Sequence, residues 1–344
     1  MDTRYSPEQQ ELRRSAAALV DDLAPKTVED LEDDPRRHRL AEAVRGAGWL
    51  ELRTAGDDDR PLASGVEVAI VARELGRRAA DTPFLGPLLA ADLARQAGIE
   101  LKDATSAVLD ATLLDFAIVT PSGEIDGVAV DAAGCGRGVL LATEEPGKLM
   151  LQEATLAEPS TATDLTRALA LVARTDSTAT SGLDGVLLTD AEVARSRALG
   201  LTITAADLVG VIEGALAATI AYAQEREQYG VPIGSFQAVQ HLLAEARVLL
   251  EGSISVAHYA AWAVDGLLPR EALDANAVAK AYCARAARTV CETAIQVHGG
   301  IGNTWECFVH VYLRRALLSS AMFGDEGQQL RTLAQSRLGV TRGL

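Results

Sequence analysis

The sequence predicts a mainly α-helical protein with a small β region between two helical parts. Three observations carry that expectation. Apolar residues recur at helix-compatible spacing as far as about Ile99, the pattern between about Leu101 and Arg195 breaks into short apolar runs split by Gly, Asp and Pro, and three long helix-period stripes follow from Leu199. The expected domains are therefore an N-terminal helical domain over 1–100, a reduced β domain over 101–196 and a C-terminal helical bundle over 197–344. At 344 residues and 48% hydrophobic, the chain can bury a substantial core, and its length fits two or three domains.

In the first part, Pro7 suits a helix start, and Leu12, Leu19 and Leu23 mark the helix that follows. A second amphipathic run holds Leu40, Val44, Trp49 and Leu50. A third, from Val66 to Leu75, ends at Gly76 and leads through Pro83-Phe-Leu-Gly-Pro87 into a helix with Leu88 and Leu93. The expected strands are Ala117-Ile-Val119, Gly127-Val-Ala-Val130, Gly138-Val-Leu-Leu141, Leu149-Met-Leu151, Ala168-Leu-Ala-Leu-Val172 and Gly185-Val-Leu-Leu188, forming a small antiparallel sheet or barrel. Leu208, Val211, Ile212, Ala215, Leu216, Thr219 and Tyr222 mark the first long helix of the last part. Val239, Leu242, Leu243, Ala246, Leu249, Leu250 and Ala257 mark the second; Ala277, Val278, Ala281, Ala287, Val290, Ala294 and Val297 mark the third, with Asp274 as its expected N-cap. Stripes of this kind make a four-helix-bundle core.

Composition narrows the function. A formal net charge of −16 argues against nonspecific binding to nucleic acid or anionic membranes, which relies on a cationic surface. Cys135, Cys283, Cys291 and Cys307 show no CxxC spacing, and His38, His241, His258, His298 and His310 are scattered, so reduced thiols and no metal are expected. The N-terminus has no apolar core of signal-peptide length and no run of eighteen apolar residues occurs, which fits a cytoplasmic protein.

Two segments carry chemistry. Arg226-Glu-Gln-Tyr-Gly-Val-Pro-Ile-Gly-Ser-Phe-Gln237 and Gln296-Val-His-Gly-Gly-Ile-Gly302 each set glycines beside a cation or amide at the end of a helical pattern. A guanidinium such as Arg226 grips a pyrophosphate with two parallel hydrogen bonds. A flat ring such as Tyr229 covers a planar group, and the Gln237 amide bonds hydroxyls or a phosphate edge. Gly299, Gly300 and Gly302 remove side chains so that backbone N–H groups approach a phosphate. The alternative is a plain helix-turn-helix corner with Gly230 as C-cap and Pro232 as breaker.

These residues make the chain resemble the flavin-dependent acyl-CoA dehydrogenases over nearly its whole length. Arg226-Glu-Gln-Tyr-Gly230, Ile233, Phe236 and Gln237 match the family's R-x-x-F-G followed by I-x-x-F/H-Q, with Tyr229 in place of Phe, and Gln296 to Gly302 matches Q-x-x-G-G-x-G. The opening Ser6-Pro-Glu-Gln-Gln10, Gly48-Trp-Leu50, Val71-Ala-Arg-Glu-Leu-Gly76 and Pro83-Phe-Leu85 resemble its first domain more loosely. The resemblance implies FAD as cofactor, an acyl-CoA substrate desaturated between Cα and Cβ, and electron-transfer flavoprotein as acceptor. It also implies FAD contacts from Arg226, Gln228, Tyr229, Ile233, Phe236, Gln237, Gln296, Gly299, Gly300 and Gly302, which in the family reach the flavin of a neighbouring subunit.

The chain departs from the family where the reaction needs a base to take the α-proton. The family's glutamate sits before a glycine leading into Q-x-Q-R, or near the start of the helix that precedes R-x-x-F-G. Here the first place holds Phe323 or Gly324, and the second falls at or near Gly200. Asp325, Glu326 and Asp207 lie nearby; Asp325 and Glu326 are more simply helix-capping residues, and Asp207 an exposed helix residue. The family's T-E-P-x-x-G-S-D segment and the later Trp that shields the flavin ring are missing too: Thr143-Glu-Glu-Pro-Gly147 lacks the G-S-D, and residues 101–195 contain no Trp. This combination resembles the smaller, base-lacking subunit of actinobacterial heteromeric acyl-CoA dehydrogenases, as do Asp164-Leu-Thr-Arg167 and Leu318 to Asp325. The resemblance therefore implies a larger partner in an α2β2 assembly. The alternatives are a self-sufficient dehydrogenase, otherwise a homo-oligomer, with Asp325 or Glu326 as displaced base, and a non-catalytic scaffold subunit.

Overall fold

The computed structural model describes residues 4–56, 60–101, 104–119, 126–145, 148–161, 163–175 and 186–338. Pro146 and Gly147 of the T-E-E-P-G run and Gly185 of the last expected strand lie outside the described residues. Four helices open the chain: α1 (Pro7–Leu23), α2 (Asp34–Gly46), α3 (Gly65–Arg77) and α4 (Leu85–Gln96). Capping boxes set the starts of α1, through Ser6 and Gln9, and α3, through Ser64 and Glu67. Helix α4 has no side-chain cap of its own. Its first amides, Phe84 N and Leu85 N, donate instead to Asp131 of the β region.

The strands are β1 (Thr105–Asp110), β2 (Ile118–Val119), β3 (Gly127–Val130), β4 (Arg137–Glu145), β5 (Lys148–Leu156), β6 (Ser160–Thr161), β7 (Ala168–Thr175) and β8 (Leu187–Leu188). Pairings β4–β1, β1–β3, β3–β7, β7–β5 and β5–β4 close a five-stranded barrel, with β2, β6 and β8 attached outside the ring. Small side chains, Ala117, Ala129, Ala154 and Ala170, share its interior with Val108, Leu140 and Leu156. The sheet is mixed rather than wholly antiparallel, because β1 and β2 both run parallel to β4. Central strand β1 was not among the expected ones.

The C-terminal part holds α5 (Asp190–Glu225), α6 (Gln237–Gly266), α7 (Pro269–His298), α8 (Val309–Ala321) and α9 (Glu326–Leu338). Helix α5 begins at a Thr189–Glu192 capping box, so the expected domain cut at 196/197 falls inside it. Helix α7 begins with Pro269 after Leu268, and Asp274 lies within it rather than capping it. Helices α5 to α8 pack together as the bundle, with α9 against α7. Glycines let α3 and α5 approach closely: a Cβ at Gly210 would stand 2.0 Å from the Arg73 carbonyl, and one at Gly76 2.3 Å from the Asp207 carbonyl. Among the described residues, α5 alone is long and apolar enough to cross a membrane, and 78% of that window is buried inside the protein, as befits the central helix of a bundle.

Candidate functional site

Helix α5 ends at Arg226, and the chain makes a tight hairpin of β9 (Glu227–Gln228) and β10 (Val231–Pro232). Its two turn residues, Tyr229 and Gly230, both have positive φ, 56° and 78°, as a type I′ turn requires. That backbone suits Gly230 and strains Tyr229. The tyrosine ring stands 95% exposed, edge-on to Phe236 at 6.4 Å. Ile233 N closes the corner by donating to the Arg226 carbonyl at 2.8 Å, and α6 begins at Gln237.

The second segment meets the first at the same end of the bundle. Helix α7 stops at Gly299, whose φ of 65° reverses the chain into a 3-10 turn over Gly299–Asn303. His298 stacks on Tyr222, one turn before Arg226, with ring centroids 4.2 Å apart. Burial lowers the His298 pKa, opposed by its bond to the Ala294 carbonyl, so a neutral ring fits this stack. Tyr222 counted in the sequence only as part of the α5 stripe; the stack that docks the two segments could not be read from spacing.

The site residues divide. Arg226, Gln228, Gln237 and Gln296 are exposed, and a Cβ at Gly299 or Gly300 would meet nothing within 4 Å. A guanidinium, amides and an open glycine surface fit the phosphate-bearing half of FAD. Ile233 is half-buried and Phe236 exposed at the corner. Gly302 differs from its neighbours. It is buried, and a Cβ there would lie 2.9 Å from the Ile295 carbonyl, so packing against α7 accounts for this glycine.

The two places for a base converge. Phe323 is fully buried, and its ring would lie 2.5 Å from a Cβ at Gly200. It meets Phe116 edge-to-face at 5.5 Å, and Gly324 N donates to the Leu113 carbonyl at 3.3 Å. A phenyl ring thus fills the space that a side chain at position 200 would need, where bundle and barrel meet. Asp325 instead accepts from Gln328 N at 2.7 Å as the cap of α9, and Glu326 pairs with Arg285. Each of these carboxylates is committed to another partner.

Asp207 is not the exposed residue expected. It is 1% exposed, accepts from Arg315 Nη2 at 2.7 Å and Ser319 Oγ at 2.7 Å, and pairs with Arg167 at 3.1 Å. Burial pushes its pKa up, but Arg315 and Arg167 outweigh burial and hold it below the usual value. Arg167 also grips Asp131 at 2.8 Å, while Arg315 donates to Thr166 and to the Ala80 carbonyl. Three parts of the chain therefore meet through a buried charge network. Asp164, 3.7 Å from Arg167, is pushed the other way: burial raises its pKa despite both arginines.

Known proteins match this arrangement. Residues 194–338 match the acyl-CoA dehydrogenase C-terminal domain family. Acyl-CoA dehydrogenase IpdE2 of Mycolicibacterium smegmatis is 31% identical over 336 residues, covering 95% of this chain and 98% of the relative. Among solved structures, a chain of the ChsE4–ChsE5 complex from Mycobacterium tuberculosis is similar in fold, with a TM-score of 0.77 at 22% identity and full coverage of both chains. A chain of the Tcur3481–Tcur3483 steroid ACAD gives a TM-score of 0.74 at 24% identity over 95% of this chain and 97% of that one. From residues, fold and relatives together, this chain belongs to the acyl-CoA dehydrogenase family of FAD-dependent oxidoreductases.

Proposed function

We propose that this chain is one subunit of a heteromeric acyl-CoA dehydrogenase, completing the flavin site of a larger, unlike subunit that supplies the base. The observation that carries the proposal is the Phe323 ring against Gly200: both places for a base are occupied, by a phenyl group and by the glycine that accommodates it. Proton abstraction needs a carboxylate aimed within hydrogen-bond reach, and the nearby acids Asp325, Glu326 and Asp207 are bound elsewhere. Two similar folds come from complexes of unlike chains, ChsE4–ChsE5 and Tcur3481–Tcur3483, the second a steroid ACAD. They support an unlike partner; the α2β2 assembly, acting on an acyl-CoA of steroid or fatty-acid breakdown, is part of the proposal.

Bound FAD supplies the hydride acceptor for oxidation between Cα and Cβ. This chain's part is to hold and orient the cofactor across the interface. Arg226 would take the pyrophosphate, Gln228, Gln237 and Gln296 the neighbouring polar edges, and Tyr229 a flat face, with Gly299 and Gly300 admitting close backbone approach. Electron-transfer flavoprotein is the proposed acceptor.

Flavin absorbance of the purified chain, alone and co-expressed with a longer dehydrogenase subunit that carries the missing glutamate, tests the reading. Alone the chain should be colourless and inactive; with its partner, yellow and active. Arg226→Ala should lower the flavin content of the complex, whereas unchanged content would favour a scaffold role. A yellow, active homo-oligomer would overturn the proposal.

A further inference from the structure

The chain contains only four lysines, Lys26, Lys102, Lys148 and Lys280, beside twenty-eight arginines, yet one of the four lies in its core. Lys280, midway along α7, is fully buried. Its Nζ donates to three carbonyls: Ser320 at 2.9 Å, Met322 at 2.7 Å and Gly324 at 3.1 Å. These oxygens surround the place where α8 ends and the chain reverses. The last carbonyls of a helix lack partners within it, and a cation there also complements the helix dipole.

The reversal needs such support. Phe323 has φ of 58° and Gly324 of 91°, and a left-handed backbone at a residue with a Cβ costs roughly 1–2 kcal/mol. Gln329 holds the other side by donating from Nε2 to the Phe323 and Gly324 carbonyls. An ammonium carries three N–H donors that converge on three acceptors, whereas a guanidinium is a planar fork and a neutral amine has two donors. Lysine rather than arginine therefore matches this nest of carbonyls.

We infer that Lys280 is the positioning residue for side chain 323: its ammonium clamps the left-handed turn so that whatever stands at 323 points at Gly200, in this chain the phenyl ring that closes the barrel–bundle seam. The clamp stands on the geometry of this chain alone, whichever subunit supplies the base. Burial pulls the Lys280 pKa down to about 7, against the pull of Asp325, so the three-donor ammonium that the clamp needs is the prevailing form below pH 7.

With only five phenylalanines in the chain, 4-fluorophenylalanine labelling gives it a resolvable fluorine spectrum. In Lys280→Met and Lys280→Arg, the Phe323 signal should move or broaden while those of Phe84 and Phe236 stay. The Phe323 and Gly324 amides should lose about tenfold or more of their hydrogen-exchange protection. An unmoved Phe323 signal with unchanged protection in a folded variant would overturn the inference. Should both variants fail to fold, the wild-type ¹⁵Nζ signals decide. Slowly exchanging Lys280 protons support the clamp, and exchange as fast as at exposed Lys26 refutes it. Flavin content is not read in any arm, so failure here leaves the partner-subunit proposal to its own test.

Discussion

Gly200 and Phe323 form one unit. Each is understandable only through the other: the glycine leaves room, and the phenyl ring occupies it. Gly200→Ala should therefore destabilise by about 1–3 kcal/mol through overpacking. Phe323→Ala should cost about 3–5 kcal/mol by leaving a cavity. The double variant should lose less than the sum, since the new methyl enters the space the ring vacated. Urea unfolding of the four proteins measures this cycle, and strict additivity would mean the two side chains do not share that space. The sequence showed that neither position holds a carboxylate, but not that the two positions touch. Contact between residues on α5 and beyond α8 is a product of bundle packing, which leaves no local pattern.

At the level of elements, legibility followed periodicity. Helices α1, α3, α6 and α7 show an apolar stripe that survives in the sequence, and each was found. The first turns of α5, Asp190 to Arg195, lie outside the buried stripe, so the sequence pattern shows the helix only from Leu199. Strand β1 leaves no such pattern, because Thr105 to Leu109 is buried on both faces and shows no alternation. The hairpin after α5 is the opposite case. Its glycine is legible as a turn residue, but the tyrosine before it points in sequence to its ring and not to its strained backbone. Tyr229→Asn should stabilise the isolated chain by about 0.5–1 kcal/mol, because Asn tolerates positive φ. It should at the same time weaken flavin retention in the complex. Thermal unfolding and flavin release rates check the two halves, and a variant that is less stable alone would show that Tyr229 is not strained.

For the molecule as a whole, the buried charge network ties α4 and α5 to the barrel and α8. Burying charges is costly unless each is paired, and breaking one such pair typically costs about 3–5 kcal/mol. Arg315→Ala should fall in that range, because it strips Asp207 of its closest charged partner. The two shifted aspartates then make opposite predictions for pH. Asp207 has a lowered folded pKa, so its stabilisation is present above the unfolded value and lost as pH falls through the folded one. Asp164 has a raised folded pKa, so between the unfolded and the folded value its native form holds a proton that the unfolded chain has released. Its contribution is thus greatest at low pH and declines as pH rises through the folded value. At neutral pH, Asp207→Asn should destabilise, while Asp164→Asn should be neutral or stabilising. Near pH 3, below the ordinary aspartate pKa of about 3.9, the Asp164→Asn difference should vanish, and the Asp207→Asn penalty should shrink because the unfolded chain now takes up a proton that the native carboxylate does not. Denaturant unfolding at both pH values measures this. Equal penalties for the two variants, unchanged between the two pH values, would show that side-chain packing rather than charge holds the three parts together.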